Sequence, residues 1–103
     1  MSYDIELRTQ EGELIEHFNI TYNVSGMFYD YYPSSGIRVI YGKSGKKSLP
    51  SLLGFYQNMV YYREKMIDMQ PENGWGNWEN TVKCINKMIM KASEHPDAIW
   101  GGD

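Results

Sequence analysis

The sequence has one cysteine, Cys84, so no disulfide can close within the chain, and a reducing, cytoplasmic setting is the expectation. Histidine is almost as scarce: His17 and His95 are the only two, and neither stands at a metal-pair spacing from the other or from Cys84. No metal site and no cofactor are expected. No stretch nears the roughly 18 to 20 apolar residues that a membrane helix needs, and Met1 to Arg8 lack the basic-then-apolar order of a signal peptide. The chain also lacks a serine in a nucleophile elbow and an acidic pair set on a rigid cleft, and two histidines give little scope for acid–base work. These absences point away from an enzyme.

What is present suits one small domain spanning residues 1–103. A chain of this length buries somewhat over roughly 60% of its unfolded surface, about enough to fold without metal or disulfide staples, and 42% of its residues are hydrophobic. The net charge of −3 is too small to name a partner, but it is unevenly spread. Residues 1–30 hold Asp4, Glu6, Glu11, Glu13, Glu16 and Asp30 against Arg8 alone, whereas residues 31–47 hold Arg38, Lys43, Lys46 and Lys47 and no acid. Such a division fits either a bipolar contact surface or two solvated faces.

The period-two run Tyr3-Asp4-Ile5-Glu6-Leu7-Arg8 reads as a strand with Tyr3, Ile5 and Leu7 inward. Gly12 supplies a turn, and Leu14 to Ile20 return, giving a hairpin over about 3–20. Val24, Met27, Phe28 and Tyr31 are spaced i, i+3, i+4, i+7, predicting a helix over about 24–32 that stops before Pro33. Ile37 to Tyr41 form an apolar knot that fits a strand or a helical turn equally. Ser48 as a cap, Pro50 in the first turn and the stripe Leu49, Leu52, Leu53, Tyr56, Val60 predict a helix over about 48–67. A loop follows from Gln70 to Gly76. Asn77 caps a last helix over 77–94, whose stripe is Trp78, Val82, Ile85, Ile89 and Ala92, and His95-Pro96 ends it. Ile99 and Trp100 in the tail predict that it folds back on the core. The fold class is therefore α+β: an N-terminal antiparallel hairpin packed on about three helices.

Gly42-Lys43-Ser44 looks like the end of a phosphate-binding loop, but Gly36 and Gly42 enclose five residues where the P-loop has four, and most of the five are bulky. A surface loop that meets an anion remains, with Arg38, Tyr41, Lys43, Lys46 and Lys47 as the candidates. Tyrosines among these cations could stack bases, yet the acidic balance of the chain argues against nucleic acid. Cys84 sits beside an apolar stripe and reads as a buried or half-buried residue. The aromatic load of 15% includes nine tyrosines and three tryptophans, residues enriched where proteins meet. Tyr61, Tyr62, Trp75 and Trp100 fall off the main stripes or in loops. With Glu11, Glu13 and Glu16 of the acidic hairpin they are the candidates for contacting a protein, the alternative being that they cover the edges of the core.

Three segments, Asn19-Ile20-Thr21-Tyr22-Asn23, Gly36 to Gly45 (GIRVIYGKSG) and His95 to Asp103 (HPDAIWGGD), resemble a family of small uncharacterised proteins. These are encoded by bacteriophages, prophages and related elements, chiefly of Gram-positive bacteria. With Tyr3-Asp4-Ile5-Glu6-Leu7 the likeness spans most of the chain, although Glu16 to Phe18 pass almost directly into Asn19 where family members carry a longer insertion. The resemblance implies no activity. It implies a setting in which small acidic proteins without catalytic motifs bind and inhibit or modulate host proteins, including components of CRISPR and other defence systems. The leading expectation is such a non-enzymatic, anti-CRISPR-like inhibitor, acting in the host cytoplasm through its acidic hairpin and exposed aromatics. The alternatives are a binder of a small anionic ligand or nucleotide, and a virion or replication accessory subunit. Homo-oligomerisation stays open.

Overall fold

The computed structural model describes residues 1–68 and 77–103, and in it the period-two run becomes strand β1, Ser2–Arg8. β1 pairs antiparallel with β2, Leu14–Thr21, with Tyr3 opposite Ile20 and Ile5 opposite Phe18. Gly12 takes φ +93°, a conformation glycine adopts without penalty, and its N–H donates to the Thr9 carbonyl at 2.9 Å. The register shifts between Leu7 and Arg8, a bulge that turns Leu14 outward with Arg8. Tyr3, Ile5, Leu7, Phe18 and Ile20 make the buried face of the sheet; Asp4, Arg8, His17 and Asn19 are on its exposed face.

The expected helix over about 24–32 is shorter. A 3₁₀ turn at Tyr22–Val24 leads into α1, Ser25–Tyr29. The Phe28 carbonyl then accepts from the N–H of both Tyr31 and Tyr32, which tightens the chain out of the α-helical path. Val24, Met27 and Phe28 are buried as the spacing predicted, but Tyr31 lies outside with one ring edge on Phe55. The apolar knot is a second 3₁₀ helix, Gly36–Ile40, whose period of three brings Ile37 and Ile40 to the core together.

The predicted helix over 48–67 divides in two and starts earlier. α2 is Gly45–Tyr61 and α3 is Arg63–Asp68, separated at Tyr62 by φ −102° and ψ 33°. Ser44, not Ser48, is the cap: its Oγ accepts from the Lys47 N–H at 3.1 Å. Pro50 consequently lies inside the helix instead of in its first turn. The inward face is Gly45, Ser48, Leu52, Phe55 and Met59; of the predicted stripe Leu52 is fully buried and Leu49 and Tyr56 pack half-buried on the core, while Leu53 and Val60 are left 43% and 46% exposed. Two of the five inward residues are glycine and serine, which a hydrophobicity pattern does not register.

The last helix follows its prediction closely. α4 is Trp78–Glu94, and Asn77 caps it by accepting from the Asn80 N–H at 2.8 Å. Thr81, Ile85, Met88 and Ala92 point inward, with Trp78, Val82 and Ile89 half-buried beside them. The tail returns as β3, Ile99–Gly102, antiparallel to β1, so the strand order is β2-β1-β3. The architecture is thus α+β, a three-stranded antiparallel sheet with its helices packed on one face. Among the described residues no helix is long and apolar enough to cross a membrane. The expected loop from Gln70 to Gly76, including Trp75, lies outside the described residues.

Candidate functional site

The basic loop does not present an empty anion cradle. At the start of α2 the Gly45 N–H donates to the Ala98 carbonyl at 2.7 Å, the Lys46 N–H to the Pro96 carbonyl at 3.0 Å, and the Lys47 N–H to Ser44 Oγ. The amides that a phosphate would need are therefore taken by the returning tail and the cap. Lys46 and Lys47 extend into solvent and Lys43 is half-buried.

Arg38 and Tyr41, the other two anion candidates, do hold an anion, and the chain supplies it. Arg38 Nε donates to Asp103 Oδ2 at 2.8 Å, while the Tyr41 hydroxyl donates to Asp103 Oδ1 at 2.9 Å. A further donor of Arg38, Nη2, reaches the Tyr22 hydroxyl at 3.1 Å, and the guanidinium lies 4.9 Å from the centre of the Tyr3 ring and 5.6 Å from that of Tyr22. Gly102 permits this closure, since a Cβ there would run into the Tyr41 ring. Burial, and then the carboxylate of Asp103, push the Tyr41 phenol well above its ordinary range. The Arg38 guanidinium is raised in turn, chiefly by its hydrogen bond to Asp103.

A raised folded-state value means that the neutral Tyr41 phenol is favoured by folding. Its contribution to stability is whole below about pH 10 and is lost above it, as the unfolded chain ionises first. Asp103→Asn keeps the shape of the cluster and removes the negative charge. Absorbance titration of tyrosine in this variant is expected to show the highest-titrating phenol moving down towards, but not to, its ordinary range, because burial remains. An unchanged alkaline limb would mean that Asp103 does not engage Tyr41 in solution.

The acidic hairpin residues part company. Glu11 and Glu13 are exposed at the turn, but Glu16 is half-buried and paired with Lys87 at 2.6 Å, and that hydrogen bond holds its carboxyl below the usual range. Glu11 lines an open hollow of about 430 Å³ with Thr9, Gln10, Ile15 and the segment from Glu94 to Ala98. Trp100 has to be withdrawn from the contact candidates. It is 1% exposed, packs on Phe18 with ring centres 5.7 Å apart, and donates from Nε1 to the buried Ser48 Oγ at 2.8 Å. Of the two large apolar side chains in the tail, Ile99 is half-buried and Trp100 is the one that fills the core.

The strongest surface feature is the junction of α2 and α3. Where the helix breaks at Tyr62, Tyr61 is thrown into solvent at 80% exposure, and its ring meets that of Tyr62 edge-on at 4.7 Å. Beyond the break, Met66 of α3 is fully buried and anchors that helix to the core. Arg63 stacks its guanidinium 5.1 Å from the centre of the Trp78 ring, while Trp78 donates from Nε1 to the Met59 carbonyl at 2.8 Å. Lys65 lies over Tyr62 and pairs with Asp30, whose carboxyl is held low by Lys65 and Asn58. Tyr, Trp and Arg are the side chains that dominate binding energies at protein interfaces. Sequence reasoning found Tyr61 and Tyr62 but missed Trp78 and Arg63. Trp78 was absorbed in a predicted core stripe, and nothing local marks Arg63 as its neighbour.

The hairpin turn and the aromatic junction are not one surface. Gln10 Nε2 donates to the Asp97 carbonyl beyond the C-terminal end of α4, and Trp78 opens that helix at its other end. With 17 residues, α4 separates them by about 25 Å at 1.5 Å per residue. Among the described residues no group of three His, Cys, Asp or Glu side chains is placed to hold a metal ion. Burial pushes the Cys84 thiol up to about 11, so at neutral pH it is a poor nucleophile. Comparison with protein-family models, with curated proteins and with solved structures returned no match to this chain.

Proposed function

We propose that this chain is a non-enzymatic binding protein, phage- or prophage-encoded, that inhibits or modulates a host protein through the aromatic junction Tyr61, Tyr62, Arg63 and Trp78. The observation that carries the reading is Tyr61, four-fifths exposed yet already in edge-on contact with Tyr62. An exposed side chain normally loses rotamer freedom on binding, at roughly 0.5–1.5 kcal/mol each. A tyrosine pair ordered before contact avoids much of that cost and offers large amphipathic area. The phage setting and the host partner rest on the sequence resemblance and on the acidic, motif-poor character of the chain.

The test uses the full chain with a photo-crosslinking residue at position 57, next to the junction, expressed in a susceptible host during phage challenge. One host protein is expected to be crosslinked, and phage restriction to fall. In purified form the double variant Tyr61→Ala, Tyr62→Ala is expected to lose 30-fold or more in affinity for that protein, about 2 kcal/mol, while its own stability stays within about 0.5 kcal/mol of the parent. A parent chain that crosslinks nothing and leaves restriction unchanged would end the proposal.

A further inference from the structure

The two edges of the sheet are treated differently. At the β3 edge, both outward backbone groups of Trp100 are bonded by the chain itself: the Gly42 N–H donates to its carbonyl at 2.8 Å, and its own N–H donates to the Lys43 carbonyl at 3.0 Å. Ser44 continues this cover opposite Ile99. At the β2 edge no strand is paired among the described residues. The register says which groups are left there. The Tyr22 N–H donates to the Met1 carbonyl at 3.1 Å, so residues 1 and 22 form a hydrogen-bonded pair, and such pairs alternate along an antiparallel ladder. Glu16, Phe18 and Ile20 thus turn their backbone groups to β1, and His17, Asn19 and Thr21 turn theirs outward. The other side of β1 agrees: the Asp103 N–H donates to the Asp4 carbonyl at 2.9 Å, so the even residues of β1 serve β3 and the odd ones β2.

Beside this edge, between β2 and the first turns of α4, is a hollow of about 90 Å³ lined by Asn19, Ile20, Val24, Asn80, Thr81 and Cys84, with no charged side chain. It has room for a few water molecules or one short side chain. We infer that the outer edge of β2 receives an extended segment of a partner protein as a fourth, antiparallel strand, with a small uncharged side chain seated in this hollow opposite Ile20.

A second copy of the chain fits the edge poorly. Pairing β2 with itself would bring Glu16, Phe18 or Ile20 to the hollow on its inner face. Phe18 and Ile20 are already 4% exposed in their own core, and Glu16 is held by Lys87. Leu14 is exposed, but the bulge has put it on the outer face. A foreign strand has inner side chains not yet committed. At the next inner position, opposite Phe18, it would meet the Lys87 ammonium, 5.9 Å from the centre of the Phe18 ring; Glu16 uses one of its three donors, so an acidic residue there can take another.

This inference rests on the binding function proposed above and is tested without knowing the partner. The probe is the peptide acetyl-Thr-Ala-Thr-Glu-Thr-Val-Thr-amide, whose alanine faces the hollow and whose glutamate faces Lys87, added to the full chain at up to millimolar concentration. Amide exchange is expected to slow at His17, Asn19 and Thr21 and to stay unchanged at Ile5 and Leu7. Replacing the alanine of the peptide by tryptophan is expected to weaken binding at least tenfold. Two variants should abolish it: His17→Pro, which removes an outward donor at an edge that tolerates proline, and Asn80→Trp, which covers the hollow from an exposed helix position. Binding that survives both variants, no slowing at the three amides, or slowing without peptide in a concentration-dependent dimer would each overturn it. Loss of the host protein on Tyr61→Ala, Tyr62→Ala but not on His17→Pro would overturn the strand addition alone and leave the binding function standing.

Discussion

Trp100→Ala is expected to destabilise the protein by about 3–5 kcal/mol, the cost of emptying a buried aromatic site. Trp100 is 1% exposed and, among the described residues, is the largest fully buried side chain. Its ring packs on Phe18, its indole N–H reaches Ser48 Oγ, and its backbone ties β3 to both Gly42 and Lys43. Truncation leaves a cavity between the sheet and the start of α2, and it takes from the Ser48 hydroxyl one of its two partners, the other being the Gly45 carbonyl. Against a total stability of roughly 5–15 kcal/mol for a domain of this kind, that is a large fraction. Urea unfolding should show a much lower midpoint at an unchanged slope. Trp100→Phe keeps much of the ring but loses the N–H, and is expected to cost about 1–2 kcal/mol. A shift under about 1 kcal/mol for the alanine variant would mean that the tail does not pack as described.

Gly45→Ala sets two effects against each other. Helix propensity favours alanine over glycine by up to about 1 kcal/mol, so sequence alone predicts stabilisation. The structure predicts the opposite. A Cβ on Gly45 would lie 2.7 Å from the Ala92 carbonyl oxygen and nearer still to that of His95, both backbone atoms at the end of α4 that cannot step aside. Moving them means separating α2 from α4 where Gly45 and Lys46 also donate to Ala98 and Pro96. The variant is expected to lose about 3 kcal/mol or more, as overpacking against fixed backbone does. Gly54→Ala is the control on the same helix. The atoms nearest its Cβ all belong to the end of the Tyr31 side chain, which is exposed and can swing away, so clash and propensity should nearly cancel, to within about 1 kcal/mol. Thermal unfolding of the pair distinguishes the accounts: equal midpoints for the two variants would refute close contact between Gly45 and α4.

The hairpin shows what local pattern can supply. Tyr3, Ile5 and Leu7 alternate with Asp4, Glu6 and Arg8, and Gly12 stands where the turn needs a positive φ, so strand, face and turn all follow from neighbours a few residues apart. The same holds for α4, whose cap and end residues are adjacent in the chain. α2 follows its pattern at Leu49, Leu52 and Tyr56 but not at Leu53 and Val60, because its inward face begins with Gly45 and Ser48, chosen for closeness and hydrogen bonding and invisible to hydrophobic periodicity.

The candidate sites were less legible for a related reason. The basic loop and the tyrosines were conspicuous, yet whether Arg38 meets an outside anion depended on Asp103, 65 residues away, and whether Trp100 is a contact or a core residue depended on Ser48, 52 residues away. Glu11 and Tyr61 looked like one surface until α4 set them at opposite ends. The residue order by itself determined the α+β class, the hairpin, the final helix and the return of the tail, since these arise from short-range periodicity, capping and turn chemistry. Only the tertiary structure decided which face of α2 is buried, which polar groups are already satisfied and which edge of the sheet is open, because each of these is a matter of what distant segments bring within hydrogen-bonding or van der Waals reach.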